Sequence, residues 1–373
     1  MIHSGRRDLI MRRFITLICA WCFTLGCSDG DSVSAMQDAG PDAGPEFAEF
    51  AWQEDTPDPE TDRLCDEATA PDDAPDTTFI DCEIEGATFA PQPPEPKEEL
   101  VILAYNILRG FEVGAQLNEI TSGSSFAQPD ILLLSEVDRG CQRTNFRNIA
   151  RDYAERLGYY YVYATEFVEL PSNRGATGPY DPPLCEHGNA IVSRYPLGNV
   201  RQIRHAQNRS WYTPPEEPEP DEPRLGGRIA IAADAKVGDD LVRIYVLHLE
   251  STISAGDIRD AQAEEIALDA ESVAHPVIVG GDFNTFGYFQ DVESGTVSQP
   301  AVKSFVDRGF EDAHDGLALD ARYTTFDPFP LIIDLILVRD ISVTGSGLCE
   351  PDICGAFSDH LPVWTTVSRV AGR

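Results

Sequence analysis

The stretch at 280–285, with sequence GGDFNT, directly follows the apolar run PVIV at 276–279. A short run rich in β-branched residues predicts a buried strand, and the two glycines predict where that strand ends. Asp282 and Asn284 stand two residues apart, so in extended backbone their side chains point to the same side. One cavity would then receive a carboxylate that can orient a water and an amide that can donate to a phosphoryl oxygen. Taken alone, Asp and Asn after a strand more often form an ordinary Asx-turn.

Polar residues follow other apolar runs of the chain in the same way. They are Asn106 after 101–105, Glu136 after 130–135, His248 after 241–247, Asp359 and His360 after 357–358, and Asp334 within the run 331–338. An unpaired carboxylate inside an apolar strand is costly, so Asp334 requires a partner. Each residue by itself has a structural alternative, an exposed acid or a hydrogen-bonded surface pair. The ordered set is what indicates a catalytic site.

This ordered set resembles the endonuclease/exonuclease/phosphatase superfamily, which includes pancreatic-type deoxyribonucleases, neutral sphingomyelinases and inositol-polyphosphate 5-phosphatases. The resemblance runs from about residue 100 to residue 367, and it includes the segment GNAIVSRYPL at 188–197. It implies an α/β fold, a four-layer sandwich of two packed β-sheets flanked by helices. Periodic apolar residues predict two of those helices, at 145–157 and 257–274.

The resemblance also implies a divalent metal ion, Mg²⁺ or Mn²⁺, bound by hard oxygen ligands. Glu136 would be its main ligand. Asn106 and Asp359 would complete the surroundings of the metal, partly through water. Cysteine spacing gives no reason to expect a structural zinc site.

The same resemblance implies the catalytic roles. Asp282 would orient or deprotonate the attacking water, and Asn284 would hold a phosphoryl oxygen. His360 would stabilise the charged transition state, with its tautomer fixed by Asp334. His248 would be a second imidazole on the phosphate side and would assist the leaving group.

Two arginines, Arg143 and Arg228, are weaker candidates for contacts to the substrate phosphate. The alternative for at least two of Arg143, Arg194 and Arg228 is a surface salt bridge. The run HLEST at 248–252, followed by Arg259 and Gln262, resembles most closely the tyrosyl-DNA phosphodiesterase members of the superfamily.

The N-terminal part of the chain has the composition of a targeting segment and a tether. Residues 1–27 combine arginines at 12 and 13 with the short apolar run 14–25, which predicts a signal peptide rather than a membrane-spanning helix. The sequence TLGC at 24–27 resembles a bacterial lipobox with Cys27 as the lipidated residue. Residues 28–97 are acidic and proline-rich, which predicts a mostly disordered linker. The catalytic domain would occupy residues 98–373.

Six cysteines remain outside the signal peptide and Cys27, and an even count in an exported chain predicts disulfides. We pair Cys65 with Cys82 and Cys349 with Cys354, because each pair closes a short loop containing Pro and Asp. Cys141 and Cys185 are left over. Free buried thiols are the alternative.

Charge restricts the substrate without identifying it. Residues 100–373 contain 40 acidic and 22 basic residues, a net charge that opposes tight non-specific binding to nucleic acid. We therefore expect an exported metal-dependent phosphoesterase, a monomer in the bacterial cell envelope or secreted, with a small, lipid-borne or nucleic-acid phosphoester as substrate. The alternatives are a secreted endonuclease and, in another functional class, a non-catalytic binding module that retains the fold.

Overall fold

The structure is a computed structural model that describes residues 46–54, 56–65, 80–92, 94–122, 125–169, 185–211, 224–326 and 328–368. The predicted signal peptide, Cys27 and the first part of the predicted linker lie outside these residues. Within the described part of the chain, none of the helices is both long and apolar enough to cross a bilayer.

Fourteen strands, numbered in chain order, form two mixed sheets over the described residues. The first sheet has the order β1-β4-β5-β3-β2-β14-β13, with β7 added beside β4. Its strands are β1 (Glu85–Thr88), β2 (Glu99–Arg109), β3 (Ile131–Arg139), β4 (Tyr160–Glu169), β5 (Cys185–Ser193), β7 (Arg224–Gly226), β13 (Ser342–Leu348) and β14 (Val363–Ser368).

The second sheet has the order β11-β12-β10-β9-β8-β6. Its strands are β6 (Leu197–Arg204), β8 (Ile229–Val237), β9 (Asp240–His248), β10 (Val277–Asp282), β11 (Glu311–Asp312) and β12 (Asp334–Arg339). Strand β10 corresponds to the strand predicted at 276–279 and lies between β9 and β12. It does not end at the two glycines, as predicted, but continues through them to Asp282.

The two sheets pack face to face, and helices cover their outer faces. Alternate residues of β2 divide between the layers: Ile102 and Ala104 enter the core between the sheets, whereas Leu103 and Tyr105 pack toward the helices. The helices are α1 (Val113–Ser122), α2 (Ile149–Leu157), α3 (Gly256–Glu271), α4 (Tyr288–Ser294), α5 (Pro300–Val306) and α6 (Pro351–Cys354). Helices α1 and α2 pack on the first sheet, and α3 and α5 on the second. The predicted four-layer sandwich is confirmed.

Both predicted helices are present with shifted ends. Helix α2 begins four residues later than predicted because Asn145 adopts a left-handed conformation, with φ of 57°. The side chain of Asn148 then caps the helix by accepting from the backbone N–H of Arg151 at 3.0 Å. The helix predicted at 257–274 is α3, which ends at Glu271.

The folded domain begins well before residue 98, which corrects the prediction of a mostly disordered linker up to residue 97. We call residues 46–54 and 56–65 the N-terminal strap. Phe50 and Trp52 of the strap pack against the core between the sheets, and the N–H of Phe50 donates to Leu197 O at 3.0 Å. The prediction of disorder rested on the average composition of the segment, which is acidic. A few apolar side chains within it nevertheless bury enough surface to order the chain around them.

Buried charge also holds the strap in place. Arg139, at the end of β3, is fully buried and forms ion pairs of 2.8 Å with both Glu85 and Glu186. It donates to Asp62 O of the strap at 2.9 Å, and Glu186 accepts from the N–H of Leu64. A buried guanidinium must be paired, so Glu85 of β1 belongs to the domain and not to a linker.

Three disulfides are present among the described residues. Cys65–Cys82 and Cys349–Cys354 are the predicted pairs, and Cys141 joins Cys185, the two cysteines left over. Disulfides are compatible with an extracellular, oxidising environment.

Candidate active site

Three neighbouring strands of the second sheet place Asp282 in one row with two other polar residues. Strand β10 pairs in parallel with β9, so that Asp282 lies opposite His248. It pairs antiparallel with β12, so that Asp282 also lies opposite Asp334. Partners in register point to the same face of a sheet. The row is buried: all three residues are only 2 % exposed.

The first sheet contributes Asn106 and Glu136 to the same cavity. The Asn106 amide donates to Glu136 Oε1 at 3.3 Å and to Asp282 Oδ2 at 3.2 Å. Glu136 has a left-handed φ of 55°, at a point where the pairing of β3 with β5 shifts register. Such irregularities re-aim a side chain near the end of a strand, and this one turns Glu136 toward Asn106.

The charge of Glu136 is favoured by its surroundings. Burial alone would raise the pKa of Glu136, but opposing charge, above all that of Arg109, outweighs it and holds that pKa well below its usual range. An ionised, partly buried carboxylate is a suitable ligand for a divalent cation.

Asp282 and Asn284 combine the two arrangements that the sequence left open. An Asx-turn is present, because the backbone N–H of Asn284 donates to Asp282 Oδ1 at 2.9 Å. The Asn284 side chain donates to Leu249 O at 3.1 Å, next to His248. Asp282 Oδ2 remains directed at Asn106 and the two imidazoles. The turn therefore fixes the orientation of the carboxylate instead of replacing its role in the site.

His360 and Asp334 form the predicted pair. His360 Nδ1 lies 2.7 Å from Asp334 Oδ2, and His360 Nε2 lies 3.8 Å from Asp282 Oδ2. Burial alone would lower the pKa of His360, but Asp334 and Asp282 outweigh it and raise that pKa to about 10. Burial and the charge of Asp334 raise the pKa of Asp282 to about 7. The site thus places an imidazolium beside a carboxyl group that titrates near neutrality.

His248 faces Asp282 from the other side and is in a different charge state. Its Nε2 lies 3.6 Å from Asp282 Oδ2, and its Nδ1 lies 2.8 Å from Arg228 Nη1. A guanidinium only donates, so Nδ1 of His248 accepts and the ring proton is on Nε2. Burial and the charge of Arg228 lower the pKa of His248 well below its usual value, so this ring is neutral.

The two candidate arginines have different surroundings. Arg228 is 3 % exposed and lies between His248 and Glu166, whose Oε2 is 3.2 Å from Arg228 Nη1. Arg143 is fully buried and pairs with Asp138 at 2.7 Å and with Glu169 at 3.2 Å. A guanidinium with no exposed surface and two carboxylate partners supports the end of β3, which corrects the predicted phosphate contact for Arg143.

The predicted metal ligands are brought together only in part. Asp359 is exposed, and it is held near Asn106 by Ser358, whose hydroxyl donates to Asn106 O at 2.8 Å. Asn106 presents its N–H groups to Glu136 and Asp282, while its Oδ1 accepts from the N–H of Leu108 at 3.1 Å. In this arrangement the Asn106 amide N–H groups orient the two carboxylates. Its Oδ1 is used by the N–H of Leu108 and is not directed toward Glu136 or Asp282.

A second group has the spacing of a metal site. One ligand atom each from Asp282, Asp334 and His360 lies within 4.8 Å of the others. His360 Nδ1 and Asp334 Oδ2 are joined by a hydrogen bond of 2.7 Å, whereas Asp334 Oδ1 has no hydrogen-bond partner within the described residues. Glu136, the predicted main metal ligand, is not a member of this group.

Sequence reasoning missed several residues of the site. Glu166 holds Arg228, the charge of Arg109 favours ionised Glu136, and His187 lies 2.9 Å from Asp138 Oδ1. The first two follow no motif, and only the tertiary fold brings them to the cavity. His187 precedes the segment GNAIVSRYPL and is the weakest candidate that the sequence offers.

Carboxylates, amides and two imidazoles that converge at one edge of two packed sheets define a hydrolytic site of the phosphoesterase class. The family model described as "Endonuclease/Exonuclease/phosphatase family" matches residues 103–360. The chain belongs to this family, whose members are hydrolases that act on phosphoesters.

Solved structures of low sequence identity share the fold. An endonuclease/exonuclease/phosphatase from Beutenbergia cavernae DSM 12333 is 19% identical with a TM-score of 0.54, over 73% of this chain and 72% of that chain. A humanized D. rerio TDP2 with 14 mutations is 16% identical with a TM-score of 0.51, over 73% and 100%. The human Nocturnin catalytic domain with bound sulfate is 20% identical with a TM-score of 0.51, over 74% and 99%. Comparison with curated proteins finds no match.

Proposed function

We propose that the protein is a metal-dependent phosphoesterase that hydrolyses a phosphodiester, or a phosphomonoester, by in-line attack of an activated water. One observation carries the proposal: a single carboxylate oxygen, Asp282 Oδ2, lies 3.2 Å from the amide of Asn106, 3.6 Å from His248 and 3.8 Å from His360. A base, a neutral imidazole and an imidazolium thus surround one small volume in which a phosphoryl group could be attacked.

Mg²⁺ or Mn²⁺ fits the oxygen donors of the site. Glu136 would hold the ion, with Asp359 and the surroundings of Asn106 completing its shell, partly through water. When bound, the ion would supply neutralisation of charge on the phosphoryl oxygens.

The other catalytic roles belong to side chains of the protein. Asp282 accepts the proton of the attacking water, for which a pKa of about 7 is suitable. His360, held as an imidazolium by Asp334, stabilises the negative charge that grows on the phosphoryl group. His248 donates a hydrogen bond from Nε2 to the phosphate, and Asn284, whose amide also donates to Leu249 O, holds a phosphoryl oxygen.

Hydrolysis of bis-(p-nitrophenyl) phosphate tests the proposal. Activity should require Mg²⁺ or Mn²⁺, vanish in EDTA and fall at least about a hundredfold in Glu136→Gln. Glu155→Gln, an exposed glutamate of α2, is the matched control and should retain full activity. Undiminished hydrolysis in EDTA would end the metal mechanism. No hydrolysis of any phosphoester with Mg²⁺ would favour the non-catalytic binding module.

We further propose that the protein is exported and held at a membrane through lipid on Cys27. The apolar segment and the TLGC sequence support this proposal, and the three disulfides are compatible with it. The domain would act as a monomer, and its phosphoester would be small, lipid-borne or part of a nucleic acid.

A further inference from the structure

A cluster of cations and aromatic rings lies beside His248, outside the groups assigned to catalysis. The indole of Trp211 is its centre. The guanidinium carbons of Arg209, Arg224 and Arg228 lie 4.6, 5.7 and 5.5 Å from the indole centroid, and Phe167 packs edge-on against the same ring at 5.7 Å. Cation–π contacts of this kind hold a guanidinium in a fixed position.

The cluster is joined to the catalytic residues by the segment that follows His248. Arg228 Nη2 donates to Ser251 Oγ at 3.1 Å, and Arg209 Nη1 donates to the neighbouring Thr252 Oγ1 at 2.9 Å. Arg228 in turn contacts His248 at 2.8 Å. Arg209 is therefore connected to His248 through the segment 248–252 and through Arg228.

Counter-charges are unevenly distributed within the cluster. Arg228 pairs with Glu166 and Arg224 with Glu169. In the described part of the chain, no carboxylate lies within salt-bridge distance of Arg209. Its partners there are a neutral hydroxyl and a π-face, so most of its N–H groups remain available to an anion.

The cluster also contains donors without acceptors. Trp211 Nε1 and Arg228 Nε are both buried and donate to no acceptor within the described residues. A buried donor without a partner costs free energy, and an incoming oxygen atom would relieve that cost. An excess of donors, in a domain with far more acidic than basic residues, points to an anionic ligand.

We propose that Arg209, supported by Trp211, binds a second phosphate of the substrate, next to the one that is hydrolysed. This inference rests on the proposed phosphoesterase function and narrows its substrate class. A planar guanidinium held on an indole suits the oxygens of a phosphate, which it can bind in a bidentate manner. The positive charge of Arg209 would repel a head group that itself carries a positive charge. Substrates with two or more phosphates, such as nucleotide or sugar bisphosphates or oligonucleotides, are therefore favoured over zwitterionic phospholipids.

Binding measurements test the subsite independently of turnover. By calorimetry on the full chain, with and without Mg²⁺, thymidine 3′,5′-bisphosphate or thymidine 5′-diphosphate should bind at least about tenfold more tightly than thymidine 5′-monophosphate. Arg209→Met should abolish this difference, and Arg209→Lys should retain part of it. Arg147→Met, an exposed arginine paired with Asp152, is the matched control and should behave as the wild type.

A chromogenic pair provides the kinetic test: the 5′-(p-nitrophenyl phosphate) of thymidine, with and without a 3′-phosphate. In the wild type, both the binding and the kinetic comparison should favour the doubly phosphorylated compound, and Arg209→Met should remove the preference by lowering the rate on the doubly phosphorylated compound far more than the rate on the singly phosphorylated one. Equal affinity for all three nucleotides in the wild type would overturn the proposal, and so would a preference that survives in Arg209→Met. An equal loss on both chromogenic compounds would show that Arg209 only maintains the fold. Preserved nucleotide binding without any hydrolysis would refute the catalytic function and leave the subsite intact.

Should Arg209→Met fail to fold, Thr252→Val provides the same test. It removes only the hydroxyl that anchors Arg209 and should reduce the preference for the second phosphate. An unreduced preference in folded Thr252→Val and in Arg209→Lys would count against the subsite.

Discussion

Replacing Asp334 by Asn removes one negative charge from the site while leaving a side chain of the same shape. Asp334 is 2 % exposed, and its Oδ2 lies 2.7 Å from His360 Nδ1. Asparagine can accept the same hydrogen bond through its amide oxygen. The substitution therefore separates the electrostatic role of Asp334 from its role in orienting the ring.

The size of the effect follows from the two pKa values beside Asp334. Within the folded protein the pKa of His360 is raised from 6.5 to about 10, which corresponds to roughly 5 kcal/mol in favour of the imidazolium. Asp334 is the largest favourable contribution to that difference, so a neutral side chain in its place should leave His360 mostly uncharged at pH 8. We expect turnover at pH 8 to fall at least about a hundredfold.

The pH dependence of turnover shows in which direction the loss of the Asp334 charge shifts the activity. Under the proposed mechanism, Asp282 acts deprotonated, above about pH 7, and His360 protonated, below about pH 10, so the wild-type profile should be bell-shaped between these limits. The charge of Asp334 raises both pKa values. Its removal should therefore move both limbs toward lower pH and restore part of the activity near pH 6.

The assay is hydrolysis of bis-(p-nitrophenyl) phosphate from pH 5 to 11 with saturating Mg²⁺. Asp320→Asn, at an exposed aspartate, is the matched control and should keep the wild-type profile. An alkaline limb that stays in place in Asp334→Asn would refute the assignment of His360 as a charged group supported by Asp334. Thermal unfolding of each variant would show that the fold is retained.

Three further predictions concern folding and location. Gly281→Ala should lower the free energy of unfolding by at least about 3 kcal/mol in urea denaturation, because Gly281 has a φ of 137° and an added Cβ would lie 2.0 Å from Leu247 O; a variant of wild-type stability would contradict this. Burial would raise the pKa of Asp312, but His314 and Arg322 outweigh it and lower that pKa from 3.8 to about 2. Asp312→Asn should therefore cost about 2 kcal/mol at pH 7, and the difference should shrink as the pH falls from about 4 to about 2, whereas a difference independent of pH would argue for lost packing alone. If Cys27 is lipidated, the wild type should partition into detergent and Cys27→Ala should remain in the aqueous phase, while equal partitioning of both would exclude the anchor.

The fold class and the polar residues that follow the strands could be predicted from the sequence. The run 276–279 predicted β10 because a central strand buried on both faces is continuously apolar, although the strand extends through the two glycines that were predicted to end it. Asp334 was predicted to need a partner because of its apolar surroundings, and the structure supplies His360 at 2.7 Å. Such features are local in the chain, so they can be recognised without its tertiary structure.

The supporting charges could not be predicted in this way. Arg143 and Arg228 looked equivalent in the sequence, yet one is enclosed by two carboxylates and the other contacts His248. Glu166 lies 62 residues before Arg228 along the chain, and its pairing depends on how β4 and β8 are brought together. The burial of Phe50 and Trp52 was hidden for a similar reason, because their partners belong to strands far along the chain.

If the protein is exported as proposed, the N-terminal strap determines how the domain would respond to proteolysis. The family segment starts at residue 103, but the unit that folds extends back at least to residue 46. A protease that cut before residue 46 would release an intact domain from any lipid anchor. A single cut between Cys65 and Cys82 would leave the strap covalently attached through the disulfide that joins them. Shedding into the medium and inactivation by nicking are therefore separable outcomes, decided by which side of residue 46 is cleaved and by whether the surroundings are reducing.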